Sequence, residues 1–162
     1  MASSSASEPA GWLFGEGIGV ITPHRAQRAL LTMGLQRAFP AISVDQIDAS
    51  VDTVERFQGQ ERWAILASYA VGDPDTVAEE DEFLQNLNRF NVLATRAKAK
   101  VIVTIIDEVL AHIETDLDVI RSSRLIKSFA DTYCNQRAHL TVTHVDRQGN
   151  PQAVDLTIRW RQ

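Results

Sequence analysis

The most restrictive feature of this sequence is a series of short, continuous apolar runs set between stretches of helical spacing. Gly17–Thr22 (GIGVIT), Trp63–Tyr69 (WAILASY) and Val101–Ile106 (VIVTII) are rich in β-branched and aromatic residues, and a briefer run covers Val51–Val54. Their length and continuous apolarity predict buried strands. Between the first two, His24–Phe39 repeats apolar residues at Ala26, Leu30 and Met33 before Pro40 closes the pattern, as a helix would. Phe83–Ala97 is predicted helical, and the acidic segment 72–82 before it a solvated loop. Strands that are apolar on both faces and alternate with helices or long crossovers predict an α/β fold with a mostly parallel sheet.

The last part of the chain departs from this pattern. Val109–Asp118 and Ser123–Gln136 read as helices. Val154, Leu156, Ile158 and Trp160 then alternate strictly with polar residues, and Leu140–Val145 precedes a Gly149-Asn150-Pro151 turn, which predicts a β-hairpin with one apolar face. The expected division is therefore a disordered Ser/Ala-rich lead-in at 1–11, an α/β lobe at 12–116, and a helical tail with hairpin at 117–162.

Composition excludes several classes. The 44% hydrophobic and 23% charged fractions are those of a soluble globular protein, and 162 residues suffice to bury a core without staples. No apolar run approaches the ~20 residues that span a bilayer, so no membrane partner is expected. The start (MASSSASEPAGW) lacks a basic region followed by an apolar one, and the single Cys134 suits a reducing compartment, so the expected location is cytoplasmic. Cys134 with His139 and His144 offers no zinc spacing, and no metal site is expected. A net charge of −5 argues against bulk attraction to nucleic acid, but the charge is unevenly placed. Six acids fall between Asp73 and Glu82, and Arg89, Arg96, Lys98 and Lys100 follow directly. Arginine outnumbers lysine 13 to 3, which suits bidentate phosphate contacts and would equally follow from a GC-rich genome.

Three segments each place charged or amide side chains at the C-terminal end of a predicted strand, where open α/β sheets bind their ligands. The first, Gly19-Val-Ile-Thr22-Pro-His-Arg25-Ala-Gln27-Arg28, runs from a strand into a helix start able to grip a phosphate. In the second, Thr53-Val-Glu-Arg-Phe-Gln58-Gly59-Gln-Glu61, a glycine lets backbone approach a ligand while Glu61 can accept hydroxyl protons. The third is Asn88-Arg89-Phe-Asn91-Val-Leu-Ala-Thr95-Arg96-Ala-Lys98. Each alone reads as an ordinary surface helix or loop.

In this order and spacing, each of the latter two followed by a buried strand, they closely resemble the C-terminal motor lobe of superfamily-1 helicases. The nearest branch is the nonsense-mediated-decay and replication-nuclease type, and the resemblance covers roughly Gly17–Ile106. It implies a RecA-like lobe of the P-loop NTPase superfamily that closes on ATP held by a partner lobe. Arg28 and Arg96 match arginine fingers, a device worth ~10³–10⁵ in rate, with Arg25 as the fallback for Arg28. Arg25, Gln27, Gln58, Gly59 and Glu61 match nucleotide-contacting positions. Thr22 and Thr53 match positions that touch the backbone of a bound DNA or RNA single strand, and Asn91 and Thr95 are assigned to the same surface.

Departures and absences complete the expectation. Asn88-Arg89 stands where the family has an arginine pair, Val92-Leu93-Ala94 replaces its commoner Val-Ala-Leu, and Glu55 replaces a frequent aspartate. No G-x-x-x-x-G-K-[ST] loop occurs, so ATP and Mg²⁺ would be held mainly by a separate N-terminal lobe, and the isolated chain should be inactive. Asp107-Glu108 imitates a metal-binding pair but reads as a helix start. The alternative reading is a non-catalytic nucleic-acid or protein interaction module derived from a helicase half.

Overall fold

A computed structural model describes residues 11–57, 59–69, 87–111, 117–146 and 148–162. Its centre is a four-stranded, all-parallel sheet in the order β2-β1-β3-β4. The strands are β1 (Ile18–Thr22), β2 (Val51–Thr53), β3 (Arg62–Tyr69) and β4 (Ala97–Ile105). Helices α1 (Arg25–Ala38) and α2 (Val44–Ser50) connect β1 to β2, and α3 (Leu87–Thr95) leads into β4. Beyond the sheet come α4 (Asp107–Ala111), α5 (Leu117–Ser128), a π-helical turn at Phe129–Tyr133, and an antiparallel hairpin of β5 (Gln136–Val145) and β6 (Pro151–Trp160). The α/β parallel-sheet expectation holds, with the hairpin as a separate two-stranded sheet.

Alternation along the central strands sends side chains to two cores. Ile21, Ile65 and Ala67 join Phe57, Phe90, Leu93, Val109 and Ile126 on one face, where α3 and α5 pack. Ile18 joins Phe14, Ile42 and Ile47 on the other, beneath α2 and a π-helical turn at Leu13–Gly17. Gly19 is required by close packing: a Cβ there would sit 2.9 Å from Ile65 Cδ1 and 3.0 Å from Arg62 Cγ, and against the Phe57 ring.

Several boundaries differ from the sequence reading. β4 begins at Ala97, four residues before the apolar run, because Ala97 pairs with Arg62; Lys98 and Lys100 are therefore exposed strand residues. The predicted helices 109–118 and 123–136 become α4 at Asp107–Ala111 and α5 at Leu117–Ser128, and Gln136 already belongs to the hairpin, opposite Trp160. Helix α2 was not read from the sequence, although Ser43 and Gln46 have capping-box spacing and the Ser43 hydroxyl accepts the Gln46 N–H at 3.3 Å. Residues 1–10 of the lead-in at 1–11 lie outside the described residues, as do the acidic loop at 72–82 and Gln58.

Candidate functional site at the two ends of the parallel sheet

Parallel strands give a sheet two chemically distinct ends, and the singled-out residues divide between them. At the C-terminal ends of β1 and β2, α1 starts with no side-chain cap and no acidic residue in its first turn, so its N–H groups and Arg25 face outward without a local counter-charge. Beside it lies a cavity of about 320 Å³ lined by Arg25, Arg28, Asp52, Thr53 and Arg56. Three guanidiniums against one carboxylate make this cavity cationic within an acidic chain.

Within that group the arginines are held differently. Arg28 donates from Nε to the Val51 carbonyl at 2.9 Å and from Nη2 to Asp48 Oδ1 at 2.8 Å, with Asp52 Oδ1 3.4 Å from Nε. It ties α1 to α2 and β2. Arg56 is 65% exposed and meets Asp52 at 3.5 Å, a loose pair that solvent screens. Arg25 is exposed and has no hydrogen-bond or ion-pair partner among the described residues. Thr53 is nearly buried yet reaches the cavity. Thr22 is fully buried, and its hydroxyl donates to Gln27 Oε1, while Gln27 Nε2 donates to Ser68 Oγ at 2.8 Å. Both side chains thus tie β1, α1 and β3 together.

The other end gathers the N-terminal starts of β3 and β4. Here the sequence reading needs correction, because Arg96 immediately precedes β4 and so lies at the opposite end from Thr53. The physical reason is that α3 returns antiparallel to the strands and delivers its last turn to the starting edge. Arg62 N–H donates to the Arg96 carbonyl at 3.0 Å, and Lys98 Nζ lies 3.9 Å from Glu61 Oε2. Gly59 adopts φ +86°, a left-handed conformation that turns the loop toward β3.

Arg62 carries its stem across Gly19 and its guanidinium 5.3 Å from the Phe57 ring centre. Its Nη1 and Nη2 donate to the Glu61 carbonyl and to Gln60 Oε1, at 2.9 and 3.0 Å. Burial pushes its pKa down, partly offset by the field of Glu16. Among the described residues, Nε of Arg62 and Nε of Arg96 are both buried without a partner, and each such donor costs about 1–3 kcal/mol.

Arg28 is bonded at β2 and Arg96 immediately precedes β4, so the two arginines start from elements on opposite sides of the sheet. Asn91 is exposed on α3, and Thr95 Oγ1 donates to the Asn91 and Val92 carbonyls at 2.8 and 3.1 Å; neither residue lines the cavity. Asp107 opens α4, as its capping chemistry suggests. Cys134 is buried, and burial pushes its thiol pKa up, which suits a structural role. Among the described residues, no three His, Cys, Asp or Glu side chains converge on a metal position, and no helix is long and apolar enough to cross a membrane.

Sequence reasoning missed Asp48, Asp52, Arg56 and Arg62. Arg56 could have been found, three residues past Thr53 on the same turn. The pairing of Arg28 could not, since Asp48 lies 20 residues away on a helix the apolar pattern did not reveal.

Comparison with known proteins places this geometry. The family model described as an AAA domain matches residues 3–106. The human RNA helicase Mov10l1 is 42% identical over 90 residues, covering 53% of this chain and 7% of that protein. The mouse DNA replication ATP-dependent helicase/nuclease DNA2 is 36% identical over 85 residues, covering 52% of this chain and 7% of its own length. Helicase SEN1 of Saccharomyces cerevisiae is 37% identical over 84 residues, covering 52% and 4% respectively. The chain thus spans less than a tenth of these relatives, and the family match covers the parallel sheet and ends before the hairpin. With the ordered segments around Thr22, Gly59 and Arg96 all inside that match, the chain belongs to the AAA-domain family, as a superfamily-1 helicase-like domain of RecA-type fold.

Proposed function

We propose that this chain is the C-terminal motor lobe of an ATP-dependent superfamily-1 helicase. The observation that carries the reading is the separation of the two ends of the sheet. Arg96, Gly59 and Glu61 gather at the starts of β3 and β4, whereas the arginine-lined cavity with Thr53 opens at the ends of β1 and β2. A motor needs one surface for nucleotide and another for the track, joined by a continuous element. The loop from Thr53 to Glu61 is that element, and Phe57 anchors its middle in the core.

At the nucleotide end, Arg96 neutralises charge on the terminal phosphate as the bond to it breaks. Phosphoryl transfer is catalysed chiefly by such positioning and charge stabilisation. Glu61 accepts a ribose hydroxyl, and Gly59 allows close backbone approach. ATP and Mg²⁺ are held mainly by a facing N-terminal lobe that carries the phosphate loop; when bound there, Mg²⁺ supplies further charge neutralisation. Arg28, engaged by Asp48 and Asp52, acts in this reading as a clamp for the track surface, and the finger role rests with Arg96.

At the other end, Arg25, Arg56 and Thr53 hold phosphates of single-stranded DNA or RNA. Contacts to backbone alone give affinity without sequence readout. Thr22 and Gln27 position that surface from beneath.

The test is turnover. The chain alone is expected to show negligible ATPase activity, and adding a phosphate-loop lobe from a matching helicase is expected to restore it. Arg96→Ala should then lower turnover by ~10³–10⁵. Full turnover in that variant removes the finger assignment.

One observation favours a second reading, a non-catalytic interaction module. Val154, Leu156, Ile158 and Trp160 on β6 are each between 37% and 46% exposed, an apolar ribbon face of the kind that docks on another surface. Failure of every added lobe to restore turnover, with single-strand binding intact, favours that reading.

A further inference from the structure

Among the described residues, only three buried side-chain polar atoms lack a hydrogen-bond partner, and two of them are Nε of Arg62 and Nε of Arg96. The third, on Thr32, lies in helix α1, away from both ends of the sheet. The two arginines are neighbours: the Arg62 N–H donates to the Arg96 carbonyl where β3 and β4 begin. No carboxylate pairs with either guanidinium among the described residues. Arg62 spends its remaining contacts on neutral acceptors, the Glu61 carbonyl and Gln60 Oε1, and rests on the Phe57 ring. Two half-buried cations with idle donors, at one sheet edge, form a place short of an anion.

We infer that Arg62 is a second phosphate-gripping cation, forming with Arg96 a seat for the polyphosphate tail of a nucleotide. The inference rests on the reading that Arg96 faces nucleotide, and extends it to a residue that reading does not use. A polyphosphate offers oxygens enough to satisfy both Nε donors at once, which a carboxylate side chain could not do without entering the edge itself. The lowered pKa of Arg62 agrees, since burial of its charge outweighs the field of Glu16. Glu61 holds Lys98 instead, so that carboxylate does not occupy the seat.

The experiment is NMR of the full chain, following the arginine Nε–Hε signals while inorganic pyrophosphate is added. Arg62→Lys and Arg96→Lys assign the two signals, and thermal melting confirms that each variant folds. The expected result is that both signals shift on one isotherm, and that Arg62→Gln weakens pyrophosphate binding roughly tenfold, one charge-assisted contact's worth. If Arg96 shifts and Arg62 does not, the second cation is ruled out while the finger reading stands. If only Arg25 and Arg56 respond, the anion belongs to the cavity at the other end and the seat does not exist. If Arg62 moves and Arg96 stays silent, both the shared seat and the finger reading fall. Silence from all four overturns the seat, and turnover of Arg96→Ala with the facing lobe then judges the finger reading alone.

Discussion

Replacing Gly19 by alanine is a sharp test of how the end of the sheet that gathers Arg62, Gly59 and Glu61 is assembled. Gly19 lies on β1 where Phe57, Ile65 and Arg62 converge. A Cβ would sit 2.9 Å from Ile65 Cδ1 and 3.0 Å from Arg62 Cγ, and within contact distance of the Phe57 ring edge. Ile65 Cδ1 ends a flexible side chain and can yield. The Phe57 ring cannot, because it is fully buried, packed in the core, and set by a loop whose Phe57 N–H donates to the Thr53 carbonyl at 3.0 Å. Overpacking of this kind costs about 1–3 kcal/mol. For a domain of this length, about 2 kcal/mol lowers the melting temperature by roughly 4–8 °C.

The ring must move outward, and Arg62 and the Gly59–Glu61 segment must move with it. Differential scanning calorimetry reads the first effect, and the Arg62 Nε–Hε signal reads the second. Phe57→Leu removes the clashing ring atoms, so the double variant should lose less stability than the two single variants summed, with a coupling of about 1 kcal/mol or more. Additive losses, or a melting temperature unchanged in Gly19→Ala, would show that the loop is not held by this contact.

Four further outcomes follow from particular contacts. Gly59→Ala meets no atom within 4 Å but must adopt φ +86°, so it should cost about 1–2 kcal/mol of backbone strain, read as a melting shift without loss of core packing. Arg56→Glu and Arg25→Glu should each weaken binding to a homopolymeric single strand, and Arg56→Gln should lower the slope of log K against log salt by about 0.7, measured by fluorescence anisotropy. Asp48→Asn leaves Arg28 its Val51 carbonyl and Asp52 contacts, so stability should fall by about 1 kcal/mol or less and turnover of the two-lobe motor should hold. Asp146 accepts N–H bonds from Asn150 and Gln148, which hold its carboxyl below the usual carboxylate range. Its folded pKa is depressed, so its contribution to the hairpin turn is present above the unfolded value of about 3.9 and fades as pH falls through the folded one; the Gln148 and Asn150 amide shifts should report this, while Asp146→Asn should flatten it.

The sheet was legible because its signal is local. Runs such as VIVTII carry strand character in consecutive residues, and their continuous apolarity reports burial on both faces. The start of β4 was not legible, because Ala97-Lys-Ala-Lys100 carries no such signal and becomes strand only by pairing with β3. The same contrast governs the site. Arg96 and Gly59 could be picked out from motif spacing. That Thr22 and Gln27 face inward depends on Ser68, 41 residues from Gln27, and that Arg28 is engaged depends on Asp48 and Asp52. Side-chain partners across such separations are fixed by packing, and periodicity does not record them.

The placement of Arg28 and Arg96 bears on how a lobe like this works. In the proposed reading Arg28 belongs to the track end, which leaves its Asp48 and Asp52 contacts intact. This placement also gives the loop from Thr53 to Glu61 a mechanical task. Its first residue lines the cationic cavity, its middle residue is fixed under β1 by Phe57, and its last pairs with Lys98 beside Arg96. In the proposed reading, an element pinned at its centre and bearing a ligand group at each end transmits displacement as a lever. Gly19 sets the fulcrum by allowing the ring beneath it, so a variant there should disturb nucleotide and single-strand affinities together, whereas Arg62→Gln should disturb the first and Arg56→Gln the second.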